Sequence, residues 1–267
     1  MYKYQFKVPV SWKGKQINIV FDGSMTDTEV KINGKSAGDI HRGAFYRFKY
    51  DITSLLNIDK ANTLEVTVSK MSSDASVNNA ERLADYWVFG GIFRPVFLEA
   101  TPKQFIDYVG IDAKPDDRSV VEAGRGKFAM QVWTKGLTKN AVVVTTITDV
   151  NKKVMATVKT PVEKSAANVI VNTTVTNIQT WTSESPNLYT ATVVLQDAAG
   201  KKLYELKEKF GFRSIEVKHG QGIYINGTQV KMKGANRHCW WPETARTLTK
   251  EQQLMDCLLY TSDAADE

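Results

Sequence analysis

The sequence predicts a mostly-β protein made of two β-sandwiches in series, and three observations carry that reading. Short segments of alternating apolar and polar residues recur along most of the chain, the pattern of half-buried strands. Turn chemistry separates them, most plainly Asn33-Gly34 and Asn226-Gly227, which supply the two positive-φ positions of a two-residue hairpin. At 267 residues the chain has room for about two domains, each able to bury a core of its own.

Taken in order, Tyr2, Tyr4, Phe6 and Val8 share one strand face, and Ile17, Ile19 and Phe21 share another after the Lys13-Gly14 turn. Val30 and Ile32 lead into the Asn33-Gly34 hairpin; Phe45, Tyr46, Phe48 and Tyr50 follow, with a turn over Asp51-Ile-Thr53. Leu64, Val66 and Val68 alternate with Glu65, Thr67 and Ser69. From Met71 to Ala84 the alternation breaks, which predicts a long connection of the kind that often carries function. Gly90-Gly91 beyond it permits a bend or a close backbone approach.

Pro102 closes the last strand of the first region, and Phe105, Tyr108, Val109 and Ile111 begin a new sheet. Lys127 to Trp133 alternates, Ala141 to Thr148 is β-branched almost throughout, and Ala167 to Val175 repeats that pattern. Asp197-Ala-Ala-Gly200 reads as a hairpin loop between Ala191–Leu195 and Leu203–Lys207. About seven such strands fit an immunoglobulin-like sandwich without a Cys…Trp…Cys core. Ile223 and Ile225, the Asn226-Gly227 turn, then Val230, Met232 and Gly234 predict one more hairpin. Lys250 to Asp256 reads as the start of an amphipathic helix with Thr249 as its N-cap.

Composition narrows the function classes. The net charge of +6 comes from lysines scattered singly, such as Lys31, Lys35, Lys49 and Lys70, which serve solubility and edge protection. No basic helix or Lys/Arg cluster is present, so no nucleic-acid partner is expected. No apolar run reaches membrane-spanning length, so no membrane partner is expected either. No signal peptide is visible, and because the chain is expected to begin partway through its first domain, localisation stays open between cytoplasm and periplasm. The two cysteines, Cys239 and Cys257, offer neither metal spacing nor a disulfide framework.

Past the last hairpin the chain crowds Asn236, Arg237, His238, Cys239, Trp240 and Trp241 together. Hydrogen-bonding groups beside large aromatics suit a sugar, which needs many hydroxyls satisfied and the apolar face of its ring covered. A capped, salt-bridged loop is the other reading of the same residues.

Two ordered blocks carry a family resemblance. Phe210-Gly-Phe-Arg-Ser-Ile-Glu-Val217, Asn226-Gly227 and Lys233-Gly-Ala-Asn-Arg-His238 with Pro242 resemble the entry into the catalytic barrel of glycoside hydrolase family 2, which holds β-galactosidases, β-glucuronidases and β-mannosidases. Asp85-Tyr-Trp-Val-Phe-Gly-Gly-Ile-Phe-Arg-Pro-Val-Phe-Leu98 is similar to that family's first-domain signature. Trp181, Pro186, Leu188 and Tyr189 resemble its Trp…Pro-Asn-Leu-Tyr segment and are read as packing.

The resemblance implies a sugar-binding jelly-roll sandwich over 1–102, an immunoglobulin-like sandwich over 103–213, and over 214–256 the first strand and helix start of a (β/α)8 barrel, truncated thereafter. Residues 257–267 look like the translation of a sequencing adapter and are expected to carry no biology. The implied activity is retaining hydrolysis of terminal β-glycosides, β-galactosides being favoured by the Asp85 block. In the family Asp85 reaches the sugar and, in some galactosidases, a cation; His238 contacts the sugar, and Arg237 holds neighbouring carboxylates. Asp85, Asn236, Arg237, His238 and Trp240 are thus the candidate substrate-binding residues, with Asp85 the candidate metal ligand for a monovalent or divalent cation. A loop-capping role is the alternative for Asp85. Trp87 is expected in the core and Arg94 in an ion pair or domain contact.

No catalytic residue is assigned. The family's acid/base and nucleophile are glutamates on later barrel strands, and Glu243, in a loop beside Pro242, and Glu251, in a first helical turn, are not in their place. The 267-residue polypeptide is therefore expected to be inactive alone. Ala245 stands where the family often has glycine, and the Glu-His-His common after this histidine in β-galactosidases is replaced by Cys-Trp-Trp. The expected partner is a carbohydrate, a homo-oligomer stays open, and the competing function is a non-catalytic carbohydrate-binding or adhesion protein of β-sandwiches.

Overall fold

The computed structural model describes residues 1–83, 88–116, 124–232, 234 and 237–263, with the backbone alone for 260–263. It forms two compact units, Met1–Ala100 with Ala235–Glu267, and Thr101–Gly234.

The first unit contains β1 (Tyr2–Lys7), β2 (Gln16–Phe21), β3 (Ser24–Met25), β4 (Asp27–Ile32), β5 (Lys35–Ser36), β6 (Phe48–Asp51), β7 (Ala61–Ser69), β8 (Gly91–Ile92) and most of β9 (Val96–Thr101). One sheet runs β1-β7-β4-β5, a second runs β6-β2-β9, and β3 pairs β8. Between them Ile17, Ile19 and Phe21 of β2 meet Val30 and Ile32 of β4 and Val66 of β7. Burial on one face of each sheet drives this packing, at about 25 cal/mol per Å² of apolar surface. Strand β1 is an edge, and its Tyr2 and Tyr4 side chains stay exposed. The Tyr2 hydroxyl nevertheless accepts the Ile92 N–H at 3.3 Å and occupies the space that a Cβ on Gly91 would need.

The expected long connection after Met71 contains a helix, α1 (Ala75–Arg82), which is a correction to the reading from alternation alone. Its N-cap is Asp74, which accepts the Ser76 N–H at 2.8 Å. At 8 residues, with Val77 as its one large apolar side chain, the helix is too short and too polar for periodicity to separate it from a loop.

The second unit holds β10 (Phe105–Pro115), β11 (Gly124–Lys135), β12 (Ala141–Thr148), β13 (Val154–Val162), β14 (Asn168–Ile178), β15 (Tyr189–Asp197) and β16 (Lys202–Phe210). Sheets β10-β11-β14 and β13-β12-β15-β16 pack face to face, as in an immunoglobulin-like sandwich. Alternation is literal here: along β12, Ala141, Val143, Thr145 and Ile147 are buried and their neighbours are not. Phe128, Met130, Val193, Leu195 and Phe212 fill the core.

A three-stranded meander follows, β17 (Ile215–Lys218), β18 (Gly222–Ile225) and β19 (Thr228–Val230). Asn226 and Gly227 take φ of 50° and 78°, the two-residue hairpin turn that the sequence predicts. The expected barrel strand differs, however. It ends at Val230 rather than Gly234, and it is antiparallel to β18. A barrel strand needs parallel neighbours delivered by long crossovers, and beyond Val230 the described residues hold one helix and no further strand, hence no barrel.

That helix is α2 (Lys250–Asp263). Thr249 caps it as expected and does so reciprocally: Gln252 N–H donates to Thr249 Oγ1 at 3.2 Å while Thr249 N–H donates to Gln252 Oε1 at 2.8 Å. The helix also continues past Asp256, into the residues that look like adapter sequence. Leu254, Met255, Leu258 and Leu259 are exposed along it, so backbone propensity and the cap carry this helix rather than an apolar face.

Candidate functional site

The segment after the meander belongs to the same compact unit as the first sandwich. Two contacts fix its shape. Trp241 and Ala245 exchange N–H···O bonds of 2.8 Å, closing a tight loop, and Ala245 takes the left-handed φ of 52°. Glycine reaches that conformation without strain, which is why a glycine suits this position and why alanine costs about 1–2 kcal/mol there. The next residue, Arg246, seats its guanidinium 4.8 Å from the Phe93 ring centroid and 5.5 Å from that of Phe45, with one N–H 3.6 Å from the Met25 sulfur. The ring faces attract the cation through their quadrupoles. No local pattern signals this contact, because its partners are some 150–220 residues apart in sequence.

Arg94 braces the same aromatic pair. Its guanidinium lies 5.2 Å from the Phe93 centroid and donates to the carbonyls of Asp22 at 3.2 Å and Phe45 at 3.0 Å. Among the described residues Arg94 is thus held by cation–π and backbone contacts, since a fork of five N–H donors suits carbonyls as well as carboxylates.

A second cluster fixes the loops beside them. Asp27, nearly fully buried, accepts both the N–H and the hydroxyl of Ser73 at 2.8 and 2.9 Å, with Arg42 3.8 Å away. Burial raises its pKa, yet the hydrogen bonds of Ser72 and Ser73 and the charge of Arg42 outweigh that and hold it below the ordinary aspartate value. Glu81 of α1, also buried, accepts the Ala44 N–H at 2.8 Å. His41 stacks on Phe48 at 3.7 Å between ring centroids, and its Nε2 lies 3.0 Å from the Gly43 carbonyl. Burial holds the His41 imidazole below its ordinary pKa against the opposing pull of that carbonyl, Glu81 and Asp27.

Of the sequence-predicted residues, Asp85 and Asn236 lie outside the described residues, as does Trp87. Arg237 is held by α2: its Nε and a terminal nitrogen reach one Asp256 oxygen at 2.8 and 2.6 Å. His238 is exposed, and Trp240 is 38% exposed. The loop therefore presents an imidazole and an indole to solvent beside a fixed guanidinium, groups able to donate to hydroxyls and to cover a sugar ring. Among the described residues no cluster of three His, Cys, Asp or Glu side chains could hold a metal. Cys239 and Cys257 are exposed, and neither forms a disulfide among the described residues. Sequence reasoning missed Arg246, Phe45 and Met25 as the anchor of this segment, and Asp27 and Glu81 as buried charges of the first unit.

Comparison with known proteins bears on the same regions. Residues 1–102 match the model described as glycosyl hydrolases family 2, sugar binding domain, and residues 105–213 match that of glycosyl hydrolases family 2. A β-galactosidase of Thermoanaerobacter pseudethanolicus is 28% identical over 266 residues, covering 96% of this chain and 34% of that protein. A protein named putative β-glucuronidase from Formosa agariphila is 28% identical, covering 89% of this chain and 28% of its own length. Among solved structures, Bacteroides uniformis β-glucuronidase superposes with a TM-score of 0.80 at 25% identity, over 97% of this chain and 31% of that one. The chain spans about a third of the length of the curated relatives it matches.

Proposed function

The chain belongs to glycosyl hydrolases family 2, and on that premise we propose that it forms the N-terminal part of a retaining β-glycosidase that hydrolyses terminal β-glycosides, β-galactosides foremost. The observation that carries the proposal is the seating of Arg246 on Phe45 and Phe93. It ties the segment bearing Arg237, His238 and Trp240 to the sandwich whose loops precede and follow Asp85 in sequence. Chain ends far apart in sequence thus contribute to one compact unit, as a shared sugar site requires.

In this reading Asp85, Asn236, His238 and Trp240 bind the sugar, Asp85 also being the ligand for any cation, and Arg237 stays paired with carboxylates as it is with Asp256. Along the chain the immunoglobulin-like domain over 103–213 lies between the first domain, 1–102, and the start of the barrel over 214–256. Retaining chemistry needs two carboxyl groups about 5–5.5 Å apart, one protonating the leaving group and one attacking the anomeric carbon. The resemblance places both on barrel strands beyond Asp256, so the 267-residue polypeptide alone hydrolyses no aryl β-glycoside. Relatives carry both galactosidase and glucuronidase names, and the Asp85 block favours the galactoside.

The test compares aryl β-galactoside, β-glucuronide and β-mannoside hydrolysis by the whole protein that carries this chain. Galactoside turnover at least tenfold faster than the others supports the assignment. Faster glucuronide turnover overturns the substrate, and turnover by the 267-residue chain itself, lost on Glu243→Gln, overturns the placement of catalysis.

A further inference from the structure

The second unit carries a cleft of about 810 Å³ that the catalytic reading does not use. That size falls within the roughly 300–1,000 Å³ of small-ligand sites. Its floor is the outer face of the β13-β12-β15-β16 sheet, where cross-strand pairing lines up Thr148, Thr190 and Lys209 in one row and sets Thr192 beside Lys207 in the next. Its walls are the turn after β12 and the loop leading into β15.

Three features make this a prepared surface rather than a gap. The walls are pinned: Asn187 donates to the Thr180 carbonyl at 3.0 Å, and the buried Tyr189 hydroxyl accepts the Gln179 N–H at 2.8 Å. Pro186, Leu188 and Met155 supply an apolar strip beside the threonine hydroxyls, the pairing that a sugar ring needs. The charge is one-sided, because Lys152, Lys207 and Lys209 line the cleft against one carboxylate, Asp149. That carboxylate already accepts the Lys153 N–H at 2.9 Å to close its own turn. Lys207 lies 3.7 Å from Glu205, while Lys152 and Lys209 have no ion pair among the described residues. Lys207 and Lys209 point the same way from alternate positions of β16, about 7 Å apart.

We propose that this cleft binds a short acidic glycan, one bearing uronate or sulfate groups, with the lysines holding its anions and the Thr and Leu188 surface holding its rings. The site is independent of the catalytic proposal, so its failure leaves that proposal standing, and the reverse. Isothermal titration of the 267-residue chain at low salt with a galacturonate oligomer, a sulfated galactan oligomer and a neutral galacto-oligosaccharide tests it. Saturable binding of an acidic oligomer is expected, weakened tenfold or more by Lys207→Ala with Lys209→Ala, at an unchanged thermal midpoint since both side chains are exposed. Binding of the uronate alone or the sulfated oligomer alone identifies the anion. The proposal is overturned if neither acidic oligomer binds, if the neutral one binds as tightly, or if Lys13→Ala with Lys35→Ala in the first unit costs as much.

Discussion

In the second sandwich the interior is built from Val143, Ile147, Val171, Val193, Leu195 and Phe212, and no charged side chain is buried there among the described residues. In the first sandwich Asp27 and Glu81 are buried, and Asn18, Ser24, Thr28, Asn62 and Ser72 are buried with them. Most of these polar groups are placed, not scattered. Ser24 and Thr28 bond each other at 2.9 Å, Asp27 holds Ser73, Glu81 holds Ala44, and Asn78 bonds both the N–H and the carbonyl of Ser72. All of them fix loops around β3, β4 and α1. An apolar core makes a sandwich stable, whereas a satisfied polar network also fixes the positions of its loops. The second sandwich has only the first of these, and the first sandwich has both.

The largest expected effect lies in the apolar sandwich. Phe212→Ala should cost about 3–5 kcal/mol, read as a lowered denaturant midpoint for the second unit. A smaller loss than that from the polar substitutions below would break the contrast. In the first sandwich Asn62→Ala removes the acceptor of the Asn57 N–H and of Asn33 Nδ2 and strands the carbonyls of Asn57 and Lys60. A loss of roughly 2–3 kcal/mol is expected for buried groups left unpaired.

Asp27→Asn should cost about 1–2 kcal/mol at neutral pH and, more tellingly, change the acid limb of the stability curve. Because the folded pKa of Asp27 is depressed, its contribution is complete above the ordinary aspartate value and is lost as pH falls through the folded one. The asparagine variant should therefore show a flatter loss of stability below about pH 4. An unchanged acid limb would mean that Asp27 is not the charge that matters.

Two smaller gains sharpen the comparison. Thr145 is fully buried in the second core with its hydroxyl unpaired among the described residues, so Thr145→Val should add about 1 kcal/mol. Ala245→Gly removes about 1–2 kcal/mol of left-handed strain and adds about 0.5–1 of unfolded-chain entropy, a net gain of roughly 0.5–1 kcal/mol in the first unit. Both are read from thermal or denaturant midpoints.

The same contrast explains what was legible in the sequence. Strand β12 reads directly, since alternation and burial coincide from Ala141 to Thr148. The Asn33-Gly34 and Asn226-Gly227 turns read equally well, but their second role does not. Asn33 also bonds Leu55, Asn62 and Thr63, and Asn226 joins Ser214 to the Trp181 carbonyl. Side-chain staples of this sort follow from the fold and leave no trace in periodicity. Helix α1 is short and polar, and the seat of Arg246 depends on contacts from distant parts of the chain. The strand expected to run from Val230 to Gly234 stops at Val230, because alternation marks a face and not the point where pairing ends.

In the proposed function the first sandwich and the segment after the meander serve one sugar. A double-mutant cycle on the whole protein tests it most directly, with kcat/KM for an aryl β-galactoside measured for Asp85→Ala, His238→Ala and the pair. At least a tenfold loss is expected from each single change at an unchanged thermal midpoint, and a combined loss smaller than the product of the two. Wild-type kcat/KM in either single variant would contradict it.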